Sequence, residues 1–250
     1  MPIGLPACVR LILWCWTEYL FASGLGEGSG EVKSRMTVIE LTVGAGHLDR
    51  VIPNPVDLLK KYREDIGYAY LDYKPRTSAD MILPEDLAVT LLMNSQVGWR
   101  AFQSLQKYGH SIELANLPKK SLEQTSVEER KEIAALISKL AQFPGIAASV
   151  ATKILHKKRP DLIPILDNQA IFGAYMNPEW PQKPARNDSV RDQNLICSAL
   201  DWIAYDLNQP INKQAWSFLS VFELRHHKIE IFDSVWWMYF RTIQPIKQRK

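Results

Sequence analysis

Beyond Pro84, nearly every stretch of this chain repeats its apolar residues at helical spacing, and that periodicity limits the fold more than any other feature. PEDLAVTLLMNS opens with Pro84 at a first helical position, carries Glu85 and Asp86 in the first turn, and continues with an apolar face. SVEERKEIAALISKLAQF is the clearest helix, with Ser126 as cap and Glu129 three residues on as its capping-box partner. Further helices are predicted over 98–108, 147–158, 168–175, 190–207, 213–222 and 229–242. Ahead of Pro84 the signal is mixed. PVDLLKKYRED has near-helical spacing, MTVIELTV reads as one short strand or an extended arm, and IGYAYLDYKPR as a strand or an ordered loop. The expected fold is mainly α, with minor β or extended structure near the N-terminus.

Composition matters here for what it removes. With 46% hydrophobic and 23% charged residues in 250, the chain can bury a core without disulfides or metals. A net charge of +3 neither demands nor excludes a polyanionic partner. Cys8, Cys15 and Cys197 form no C-x-x-C pair, so no thiolate zinc site or iron–sulfur cluster is expected, and the thiols read as those of a cytoplasmic protein. His226 and His227 are adjacent, point different ways on a helix and lack an acidic or cysteine partner at ligand spacing. Neither metal nor cofactor is expected.

The apolar run 11–16 is followed by Glu18 and is far shorter than the roughly 20 residues of a membrane span. A signal peptide is an alternative, but its basic region would be Arg10 alone. GLGEGSGEVKSR reads better as a linker, which makes 1–35 a flexible leader and 36–250 the folded domain.

The informative segment is 137–175, ISKLAQFPGIAASVATKILHKKRPDLIPILDNQAIFGAY. Two helices flank Phe143-Pro144-Gly145-Ile146-Ala147. Gly145 suits the bend, and the small residues Ala147 and Ser149 would let a phosphate approach the backbone N–H groups at the next helix N-terminus. Lys153, Lys157, Lys158 and Arg159 follow with no acid between 148 and 160, a local basic concentration that the net charge hides. The same turn could equally be a plain connector with a solvated lysine face. After the apolar run RPDLIPIL comes Asp167, which could be an N-cap, or a carboxylate held to stabilise an oxocarbenium-like sugar as a base departs.

These residues resemble the core of the helix-hairpin-helix DNA glycosylase superfamily. FPGIA is similar to its hairpin, PILD to its aspartate element, and 167 − 149 = 18 is the spacing its bifunctional members use between lysine and aspartate. The flanks LPEDLAVTLLMNSQVGWRAFQSL and FLSVFELRHHKIEIFDSVWWM are similar to a divergent group of uncharacterised bacterial proteins that share this core.

The resemblance implies a helical bundle in two lobes and a DNA N-glycosylase that flips a damaged or modified base into a pocket and leaves an abasic site. Ser149 stands where the lyase lysine would be, so the activity implied is monofunctional, and Ala147 replaces the second hairpin glycine. The implied catalytic residue is Asp167. The implied contacts to the DNA backbone come from Gly145, Ala147, Ser149, Lys153 and Lys157. The implied setting is a cytoplasmic, nucleoid-associated monomer acting on double-stranded DNA, in repair or against modified phage DNA.

Pocket candidates are Asn168, Gln169, Trp99 and Tyr175, with Trp180 beside them, while Trp236, Trp237, Tyr239 and Phe240 fit a core helix. Asp233 is a second candidate for a buried carboxylate, in a structural role. The alternatives to an enzyme are a non-catalytic helix-hairpin-helix DNA-binding module and a helical protein-interaction domain.

Overall fold

The computed structural model of the protein describes residues 39–66, 69–93, 95, 97–182, 192–222 and 227–244. The expected leader 1–35 and His226 lie outside them. β1 (Glu40–Val43) pairs antiparallel with β2 (Arg50–Pro53), Leu41 opposite Ile52 and Val43 opposite Arg50. Leu41, Val43 and Ile52 are buried, so MTVIELTV supplies a strand. Its partner RVIP, at 4 residues, is too short to announce itself by alternation.

The turn between them needs φ +116° at Gly44, where a Cβ would sit 2.3 Å from the Leu48 carbonyl oxygen. Asp206 accepts hydrogen bonds from the N–H groups of Gly44 (2.7 Å) and Ala45 (2.8 Å) and from the Tyr175 hydroxyl (2.6 Å), which ties this small sheet to the helices.

The helices are α1 (Pro55–Ile66), α2 (Ala69–Asp72), α3 (Ala88–Leu92), α4 (Trp99–Tyr108), α5 (Val127–Ala141), α6 (Ala148–Lys158), α7 (Asn168–Tyr175), α8 (Gln193–Asn208), α9 (Lys213–Phe222) and α10 (Lys228–Ile243). A 3₁₀ turn at Pro84–Leu87 leads into α3. The expected capping box is present: Ser126 accepts from the Glu129 N–H, and the Ser126 N–H donates to Glu129 Oε2 at 2.7 Å. IGYAYLDYKPR is neither strand nor loop throughout. It contains α2, whose Tyr70 is buried in the core.

α5 packs along α8 and α6, and α10 along α1, α7 and α9. Residues 38–250 group as one compact unit, and the buried apolar residues form one contiguous core.

Between α5 and α6 the chain turns at Gly145, with φ +83°. A Cβ there would lie 2.7 Å from the Ala101 backbone nitrogen, so the glycine seats the hairpin turn against the start of α4.

The irregular segment 163–166 runs buried between α6 and α10 without a strand beside it. Side chains satisfy its backbone. Asp233 Oδ2 accepts from the Ile165 N–H and Thr152 Oγ1 from the Leu166 N–H, both at 3.0 Å, and His156 Nδ1 bonds the Ile163 carbonyl at 2.6 Å. Pro164 has no N–H to satisfy.

Thr152→Val keeps the shape and removes the acceptor, leaving the Leu166 N–H buried and unpaired. Stability should fall by about 1–3 kcal/mol, which lowers the melting temperature by roughly 2–10 °C for a domain of this size. Thermal melts followed by circular dichroism check this, with Thr152→Ser expected to retain most of the stability and an unchanged Val variant contradicting the assignment.

Candidate active site

Asp167 ends the segment just described and caps α7, as a cap reading expects. Its Oδ1 accepts from the N–H groups of Gln169 and Ala170, each at 2.9 Å. α7 is π-helical, a wide winding in which the Phe172 N–H bonds the Asp167 carbonyl five residues back. Asp167 Oδ2 takes no hydrogen bond among the described residues. The carboxylate is thus held by one oxygen and open at the other.

That carboxylate lines a cavity of about 70 Å³ whose wall includes Lys153, Asp233, Tyr62, Trp236 and Trp237. On α10, Asp233, Trp236 and Trp237 fall at i, i+3 and i+4, the spacing that places side chains on one helix face. Trp236 is fixed by its indole N–H, which donates to the Ala170 carbonyl at 2.9 Å. Trp237 is half-buried, and its ring tilts against Phe240 with centroids 5.6 Å apart. Lys153 is buried and donates to Ser95 Oγ. Its pKa is lowered by burial and raised in part by Asp167.

Asp233 carries a strongly shifted carboxyl, its pKa pushed up to about 7. Burial is the main cause, opposed by His156 and by the hydrogen bond from Ile165. His156 Nδ1 lies 3.8 Å from Asp233 Oδ2, and His156 Nε2 lies 3.6 Å from Glu230 Oε1. The cavity therefore joins an anchored carboxylate, a carboxyl that holds its proton near neutrality, a buried amine and three aromatic rings.

Several expected assignments change. Lys157 pairs with Glu230 at 3.0 Å and lies over the Tyr70 ring, 4.0 Å from its centroid. Lys158 is buried against Asp86 at 2.9 Å, and Arg159 pairs with Asp80 at 2.5 Å. Lys157, Lys158 and Arg159 thus each meet an acid far away in sequence. Lys153 belongs to the cavity and not to a solvated face. Gly145 is exposed, but the position of its missing Cβ is taken up by the backbone of Arg100 and Ala101.

Ala147 is the N-cap of α6 and Ser149 is half-buried in its first turn, where no side chain caps the helix and no acid is present. The backbone of Arg100 lies against this turn, and its side chain is exposed and without an ion pair among the described residues. Reading 137–175 by itself hides Arg100, because it enters from α4.

The four named pocket candidates do not line the cavity. Tyr175 is fully buried and bonded to Asp206. Trp99 is 66% exposed, stacked on Phe102, and borders a separate groove with Leu91 and Val97. Gln169 is exposed and Asn168 half-buried, both outside the wall. Trp180 packs against Gly173 and Phe240. Trp236 and Trp237, expected in the core, do pack there but also form the wall. His227 bonds Asp161, and no group of three or more His, Cys, Asp or Glu residues is placed to hold a metal among the described residues. No helix among them is long and apolar enough to cross a membrane.

A family model described as a family of unknown function (DUF6308) matches residues 56–239. That span runs from α1 into α10 and contains every residue named in the cavity wall. No curated protein and no solved structure matches the chain.

The Asp233 shift has a signed consequence. Its folded-state pKa of about 7 exceeds the ordinary value of 3.8, so its contribution to stability is full below about pH 4 and is lost as pH rises through about 7. Asp233→Asn keeps an acceptor for Ile165 and removes the titration. The variant's melting temperature relative to the wild type should therefore climb between about pH 4 and pH 7 and level off above that. A constant difference across that window would contradict the assignment.

Proposed function

We propose that this chain, which belongs to the DUF6308 family, is a DNA N-glycosylase that removes a damaged or modified base from double-stranded DNA and leaves an abasic site. The observation that carries the reading is Asp167, whose unbonded Oδ2 belongs to a carboxylate on the wall of an aromatic-lined cavity. A negative charge held there favours the oxocarbenium character that develops at C1′ as the bond to the base breaks, or orients the water that completes hydrolysis. The two capping amides fix that carboxylate in advance, so little reorganisation is needed when charge develops.

An everted nucleotide has to reach this place, and its extrusion costs a few kcal/mol. The cavity, at about 70 Å³, holds roughly the liquid volume of two waters. A base therefore enters as half-buried wall residues such as Met93 and Trp237 move outward. Tyr62, Trp236 and Trp237 are the rings available to stack on it. The uncapped start of α6 and the neighbouring Arg100 are suited to hold a phosphate nearby. The similarity of the 137–175 core to helix-hairpin-helix glycosylases supports the same reaction class. A modified base in foreign DNA fits the divergent flanks, and the protein would then work as a monomer on the nucleoid.

The small size of the cavity favours one second reading, a DNA-binding module in which Asp167 is purely a cap.

The test is a panel of duplexes carrying deaminated, alkylated, oxidised and phage-type hypermodified bases, scored for alkali-labile sites. Wild-type protein should produce them, and Asp167→Asn should abolish them while DNA binding changes little. Arg100→Ala should weaken binding and reduce the salt slope by about one counterion. Binding without cleavage anywhere in the panel would favour the second reading.

A further inference from the structure

Two carboxyl side chains line the cavity, and their anchors differ. Asp167 has two backbone amides on one oxygen. Asp233 has one, from Ile165, and its side chain is 11% exposed. Of two carboxyl groups sharing one small cavity, the one with fewer donors and less water is the one that keeps a proton. The groups that face Asp233 do not claim that proton. His156 Nδ1 contacts the Ile163 carbonyl at 2.6 Å, and a carbonyl can only accept, so Nδ1 carries a hydrogen and has no lone pair to offer. Glu230, on the same helix, pairs with Lys157 of α6. Tyr70 of α2 and Tyr62 of α1 bring hydroxyls, and Lys153 and Asp167 complete the ionisable set around the cavity. Oδ2 of Asp233 already accepts from Ile165, which leaves Oδ1 as its oxygen without a hydrogen bond among the described residues. The pKa of Asp233, pushed up to about 7 mainly by burial, agrees with this placement.

Cleavage of a glycosidic bond uses two carboxyl groups in separate roles, one as the acid for the leaving group and one to activate water or stabilise the sugar cation. On the glycosylase reading, on which this inference rests, Asp167 has the second role and the first is unfilled. We propose that Asp233 is the acid, and that the substrate class is therefore an uncharged base, one that must gain a proton in order to leave. The C1′–N bond breaks with its electron pair passing to the base. The Asp233 Oδ1–H bond breaks, and its proton goes to a ring nitrogen of the base, which departs neutral. Water gives its hydroxyl to C1′ and its remaining proton to Asp233, so the acid is restored and no oxidant or reductant is consumed. A base that already carries a positive charge, such as one methylated at a ring nitrogen, leaves without this help. Indoles alone would hold such a base by its charge, whereas the protonated carboxyl beside Trp236 and Trp237 serves only a base that lacks one.

The experiment is single-turnover base removal by the full-length protein between about pH 5 and pH 9, on duplexes carrying uncharged altered bases and on a duplex carrying 7-methylguanine, whose ring is cationic. The wild-type rate on an uncharged base should be level below about pH 7 and fall about tenfold per pH unit above it. Asp233→Asn, which keeps an acceptor for Ile165, should slow that reaction by about 100-fold or more and lose the bend. Its residual rate should climb as pH falls, because solvent protons stand in for the missing acid. A variant that retains the bend, or that slows the removal of uncharged base and 7-methylguanine alike, overturns the proposal, as does a wild-type protein that removes only cationic bases. Should the variant fail to fold, the wild-type profile decides: a rate on uncharged bases that stays level above pH 7 overturns the acid. Base removal that survives Asp233→Asn unchanged sinks the acid alone, whereas no removal of any base, charged or uncharged, sinks the glycosylase reading and the acid with it.

Discussion

The structure depends on how one buried, irregular segment satisfies its backbone. Residues 163–166 pass through the core with no neighbouring strand, and each unpaired backbone group there would cost about 1–3 kcal/mol. Thr152 and His156 from α6 and Asp233 from α10 take up the Leu166 N–H, the Ile163 carbonyl and the Ile165 N–H. Three polar side chains in the core thereby clamp two helices onto one strip of chain. Asp167 is the next residue, so the clamp also fixes where the carboxylate stands, and the amides of α7 fix how it points. Asp233 serves twice, holding Ile165 with Oδ2 and lining the cavity.

The charges follow a similar logic. A chain of net charge +3 concentrates cations after the hairpin, but the fold brings Glu230, Asp86 and Asp80 to meet them. The Lys157–Glu230 and Lys158–Asp86 pairs are buried, and such pairs are costly to break and fix geometry more than they add stability. Among the described residues they leave Lys153 without an ion pair on the cavity wall and Arg100 exposed beside the hairpin.

Much of the helical architecture was legible because its signals are local. The Ser126–Glu129 box and the amphipathic runs of α5, α8, α9 and α10 are read within one or two turns of sequence. The cap role of Asp167 was legible for the same reason. RVIP and α2, at 4 residues each, are shorter than the window in which a period can be seen. The ion pairs of Lys157 and Lys158 were illegible because their partners lie 73 and 72 positions away (230 − 157 and 158 − 86), and no local pattern encodes such a distance. Tyr175 and Trp99 were chosen as pocket residues by nearness in sequence, and packing sent one to the core and the other to a different groove. Asp233 was named as a buried carboxylate, but its sharing of a helix face with the indoles at 236 and 237 was not used to place it on the cavity wall.

The claim that Asp167 faces a developing sugar cation can be tested without knowing the base. A duplex in which one deoxyribose is replaced by a protonated pyrrolidine carries that charge permanently, and its crystal structure with the protein is the most direct measurement. The account predicts the pyrrolidine nitrogen in the cavity within hydrogen-bonding distance of Asp167 Oδ2. A complex in which the DNA binds but the pyrrolidine remains stacked in the duplex, away from Asp167, would contradict it.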